Sequence, residues 1–88
     1  MEIQAMSKQE RLMVKGLIAE KKQRLSELDV EMKGLALVIR SALPTYLGVE
    51  SYNVVLVSES AQRLCRDKEE YSRLQADLHE LQAEWGNL

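Results

Sequence analysis

Phenylalanine is absent from these 88 residues, and proline, cysteine and tryptophan occur once each. A single cysteine, Cys65, excludes an internal disulfide and makes a reducing cytoplasm the expected setting. The longest apolar runs, 35–39 and 54–57, are too short to cross a bilayer as a helix, so no membrane span is expected. The first sixteen residues have no basic segment followed by a long apolar core, so no signal peptide is expected there. A net charge of −2 provides no general attraction to nucleic acid or to an anionic membrane. Glycine-rich phosphate loops, nucleophile–histidine pairs and zinc-ligand spacings are missing from the sequence. Neither an enzyme nor a bound cofactor or metal is expected.

What is present is leucine, glutamate, lysine, arginine, alanine and glutamine, the usage of long helices and coiled coils. A chain this short buries a thin core, which makes self-association an expectation. The first arm has a regular seam. Leu25, Leu28, Met32, Leu35, Ile39 and Ala42 alternate spacings of three and four. Leu25, Met32 and Ile39 take heptad position a, and Leu28, Leu35 and Ala42 take d. Carried backward, the register meets Lys21, Ile18, Val14 and Arg11. In the second arm Tyr71, Leu74, Leu78, Leu81, Trp85 and Leu88 repeat the spacing, and the register runs back through Asp67, Leu64, Ser60 and Val57.

The boundaries follow from local chemistry. Ser7 and Glu10 form a capping-box pattern for a first helix over 7–43. Pro44 disfavours helix at Leu43, and Gly48 is suited to a positive φ, so 44–50 reads as a turn. Ser51 is the expected cap of a second helix over 51–86, ended by Gly86 and Asn87. A short link between long amphipathic helices makes them antiparallel neighbours. The expected fold is all-α: a long antiparallel helical hairpin, a two-helix coiled coil associating into a helical bundle. One alternative is that 35–39 and 52–58, rich in β-branched residues, pair as strands. That element order resembles prefoldin subunits. The register argues against it, because Leu35, Ile39, Ala42 and Val57 keep the phase of the arms.

The flanking positions describe the faces. Lys8, Lys15, Lys22 and Asp29 occupy e in the first arm, with Lys68, Gln75 and Gln82 in the second. Glu10, Leu17, Arg24 and Glu31 occupy g, with Arg63, Glu70, Asp77 and Glu84 in the second. Antiparallel pairing sets e beside e and g beside g, giving a more basic and a more acidic face. Approaching the turn, both faces lose charge. Between residues 35 and 57 only Arg40 and Glu50 are charged. A two-helix tip has one seam in which to bury apolar groups, so the excess marks a contact surface. The candidate partner-binding residues are Leu43, Tyr46, Leu47, Val49, Tyr52, Val55 and Leu56.

Other reactive side chains read as structural. His79 follows a seam position and faces solvent. Cys65 sits at b and reads as a half-buried thiol. The carboxylates of the second arm lack the Glu-x-x-His pattern of bundle metal sites. Asp67 falls at d, inside the seam, and is expected to pair with Arg63 or Arg66, or to set the register. Trp85 is expected to close the open end over Arg11, Leu12 or Met13. Taken together, the residues point to a small cytoplasmic interaction module, an adaptor, chaperone-like or assembly component. Its expected partners are a second copy of itself, as a homodimer, and/or another protein. A second reading is a dimeric nucleic-acid binder using Lys8, Lys15 and Lys22. It is disfavoured because no aromatic residues interleave with that column.

Overall fold

The computed structural model describes residues 7–86. Helix α1 spans Lys8–Ala42 and helix α2 spans Val54–Trp85, with a 3-10 turn at Val49–Ser51 between them. No strand occurs among the described residues, so the strand-pair alternative falls. The valines of 54–57 form the first turn of α2, in phase with its seam. The molecule is a rod measuring 69 × 17 × 16 Å. Its radius of gyration is 19.8 Å, against roughly 12 Å for a compact chain of this length.

Burial follows the heptad phase. Val14, Leu28, Leu35 and Ala42 are the buried hydrophobic residues, all at d of α1. Leu28 alone is fully covered, at 0% exposure. The seam positions of α2 from Val57 to Leu81 are half-buried, apart from the buried Ser60. A two-layer rod cannot enclose side chains from every direction, so its core is one seam deep.

The start of α1 has a complete capping box. Ser7 Oγ accepts a hydrogen bond from the Glu10 amide at 3.0 Å, and Glu10 Oε1 accepts one from the Ser7 amide at 3.0 Å. These bonds, the Ser7 amide first, hold the Glu10 carboxyl below its ordinary pKa. At the other end the chain reverses by a different route from the one expected. The Leu47 amide donates to the Pro44 carbonyl at 2.9 Å, and the 3-10 turn follows. The Asn53 amide then donates to the Ala42 carbonyl at 3.0 Å, tying the start of α2 to the end of α1. Asn53, not Ser51, caps α2, its Oδ1 accepting from the Leu56 amide at 3.1 Å. Ser51 is inside the 3-10 turn, where its amide donates to the Gly48 carbonyl.

Gly48 differs as well. Its φ is −71° and its ψ is 158°, an extended conformation open to any residue. The glycine with positive φ is Gly86, at 72°, which closes α2. A Cβ at Gly48 would meet the carboxylate of Glu50, an exposed and flexible side chain. Gly48→Ala is therefore expected to leave stability within about 1 kcal/mol of the wild type, on the stabilising side once Glu50 swings away. A thermal melt showing a loss of more than about 2 kcal/mol, the scale of backbone strain, would contradict this account of the turn.

Candidate functional site

The turn and the helix ends beside it form the least covered apolar surface of the hairpin. Tyr46 is 85% exposed and Val49 is 72% exposed, the two highest values among the large hydrophobic side chains described. Leu47, Val54, Val55 and Leu56 are exposed beside them. Leu43 and Tyr52 are half-buried, each following the last residue of a helical turn. Of the seven residues expected here, five face outward and two help build the reversal. Val54, an apolar e residue beside the turn that is not among the seven, belongs with the outward group. Its e position is exposed because no opposing layer reaches past the turn.

An open groove of about 480 Å³ runs along one flank of the tip. Leu37, Val38 and Leu56 provide its apolar wall, and Ser41, Ser51 and Asn53 its polar lip. It lies on the g side of the ribbon, where Val38 of α1 is matched by Leu56 of α2.

Further along that flank the charges pair across the hairpin. Arg24 Nε donates to Glu70 at 2.8 Å and its Nη2 donates to the other carboxylate oxygen at 3.0 Å, a two-point clasp. Arg63 Nη2 donates to Glu31 at 2.9 Å. All four are g residues. The acidic flank is thus partly neutralised from within. Hydrogen bonding to Glu70 raises the Arg24 pKa, and hydrogen bonding to Arg24 lowers that of Glu70. Lys21 lies 3.8 Å from Asp77, a looser pair. On the opposite flank, Lys8, Lys15 and Lys22 are exposed, and none joins an ion pair among the described residues.

Asp67 does not pair with arginine. Arg63 reaches across to Glu31 instead, and Asp67 Oδ2 is buried with no hydrogen-bond partner. Burial raises the Asp67 pKa first, and the hydrogen bond and charge of Glu31 raise it further, with Arg63 and Arg24 only partly offsetting them. Glu31 shifts the other way, held low chiefly by Arg63.

The remaining candidates are placed as follows. Cys65 is exposed, not half-buried. His79 is exposed. The cover expected from Trp85 is not seen on Leu12 or Met13. Trp85 is itself 38% exposed, while Leu12 and Met13 stay 63% and 64% exposed. No described helix is long and apolar enough to cross a membrane. Comparison with protein-family models, curated proteins and solved structures finds no match for this chain.

Proposed function

We propose that this chain is a non-enzymatic interaction module, an adaptor, chaperone-like or assembly component of the cytoplasm. It works by self-association together with an apolar tip that contacts protein. The observation that carries this reading is the imbalance of the hairpin. Four hydrophobic residues are buried, while thirteen large ones are substantially exposed among the described residues. The tip around Tyr46, Leu47, Val49, Val55 and Leu56 is the densest part of that exposure. Surfaces of this kind are usually covered in use, and a thin seam gains stability from a partner.

Sedimentation equilibrium on the wild type and on the Tyr46→Asp/Val55→Asp variant tests the proposal. The wild type is expected to exceed the monomer mass. A wild type that stays monomeric and soluble at high concentration overturns self-association. The variant separates two uses of the tip. Reversion to monomer makes the tip the self-contact, whereas a surviving dimer leaves it for another protein.

A further inference from the structure

Among the described residues, Asp67 Oδ2 is the one buried side-chain oxygen or nitrogen without a hydrogen-bond partner. It lies between the Arg24–Glu70 and Arg63–Glu31 bonds that tie the helices at mid-rod. The charged groups facing it are Arg24 and Glu31 from α1 and Arg63 from its own helix, with Glu70 held on Arg24. Both arginines are already engaged. Arg24 holds the two oxygens of Glu70 and also meets Glu27 at 3.4 Å. Arg63 meets Glu31 at 2.9 Å. Two cations thus serve three carboxylates before Asp67 is counted.

An ionised Asp67 is a second anion beside Glu31, with one oxygen shut away from water. Neither group has a donor to offer while both are ionised, so Oδ2 is left unpaired. Where like charges crowd one site, one of the two carboxyls keeps its proton. A protonated carboxyl supplies one O–H donor, and an ionised carboxylate accepts at both oxygens. Glu31 accepts from Arg63 on Oε2, which leaves Oε1 for Asp67, and the two carboxyls are within hydrogen-bonding reach. They come from different helices. One proton on Asp67 therefore completes a chain from Arg63 of α2, through Glu31 of α1, back to Asp67 of α2.

We propose that Asp67 and Glu31 form a proton-operated latch between the two helices. When solvent supplies a proton to Asp67, its O–H donates to Glu31 and the helices are tied at mid-rod. When that proton returns to solvent, Asp67 faces Glu31 as an anion and the tie is lost. The latch works while Glu31 stays ionised, so Asp67 must take its proton first. The shifts run in the sense this needs: burial raises Asp67, and Arg63 holds Glu31 low. The contribution of the latch is present in acid and disappears as pH rises through the folded pKa of Asp67.

A carboxyl-carbon NMR titration of the full chain tests the latch. Asp67 is expected to take its proton at higher pH than Glu31. The Glu31 carbon is expected to register two steps, the earlier coinciding with that of Asp67, as interacting sites do. Asp67→Asn supplies a donor that does not titrate, so Glu31 should then show one step. Amide protection in α2 beyond residue 67 should be several-fold above wild type in this variant at neutral pH. It should equal the wild type once Asp67 of the wild type is protonated. A single Glu31 step in the wild type, or Asp67 protonating after Glu31, would overturn the latch. So would an Asp67→Asn variant whose protection follows pH as the wild type's does. The wild-type titration decides by itself if the variant folds poorly.

Discussion

Replacing Asp67 with leucine is expected to raise the unfolding free energy by about 1–3 kcal/mol, the range for an unsatisfied buried polar group. The position explains the sign. Asp67 occupies d, and the Arg24–Glu70 and Arg63–Glu31 bonds bracket it along the hairpin together with Leu28, the most deeply buried side chain. Its Oδ2 is buried and accepts no hydrogen bond. The arginine one turn earlier, Arg63, is committed to Glu31 across the seam. The carboxylate therefore loses water without gaining a cation, and apolar replacement at such sites is often stabilising. Urea denaturation would read the change as a higher midpoint at unchanged slope. A lower midpoint would mean that Asp67 has a favourable partner in solution, or sets a register that leucine cannot hold.

The same group makes stability depend on pH in a signed way. Asp67 has its pKa raised above 3.8 by folding. Its favourable contribution is complete below that value and disappears as pH rises through the folded pKa. Glu10, Glu31 and Glu70 are lowered from 4.5 by their hydrogen bonds. Their contribution is present above 4.5 and is lost as pH falls through their folded values. Descending from neutrality, protonation of Asp67 stabilises the hairpin while protonation of Glu10, Glu31 and Glu70 destabilises it, so the two effects oppose each other in the acid range. The leucine variant should lack the gain and keep the loss, so its advantage over the wild type should shrink as pH falls. A urea midpoint advantage unchanged by acid would contradict this assignment.

The seam could be read from the sequence because a heptad repeat is local. Spacings of three and four place Val14, Leu28, Leu35 and Ala42 on one side whatever lies opposite, and all four are buried. The g–g pairing followed from antiparallel direction alone. What escaped the reading depends on the partner strand of the hairpin or on the path of the turn. Whether Arg63 meets Glu31 or Asp67 is decided by the stagger, which the Asn53–Ala42 hydrogen bond holds. Ser51 and Asn53 are both good caps, and only the 3-10 turn decides between them. The tip residues were legible as an excess of apolar groups. Leu17 was legible as an apolar g residue, whereas Val30 and Leu37, at f, were not, because a search along the seam ignores what occupies the back of a helix.

Leu28→Ala should be the most damaging single truncation. Removing a buried leucine costs about 2–5 kcal/mol, the upper part reflecting cavities that cannot collapse. Few other side chains can compensate, since only Val14, Leu35 and Ala42 join Leu28 as buried hydrophobic residues. Native domains retain about 5–15 kcal/mol in total, and a short chain sits toward the low end. The variant should therefore be partly unfolded at 25 °C, visible as lost helical circular dichroism at low concentration. Leu12→Ala, at a site 63% exposed, should change monomer stability by no more than about 0.5 kcal/mol. Because the Arg24–Glu70 and Arg63–Glu31 bonds bracket both Leu28 and Asp67, their substitutions should not be additive. Leucine at 67 can lean into the space left by alanine at 28, so the double variant should recover more than the sum of the single effects. Additive behaviour within about 0.5 kcal/mol would separate the two sites.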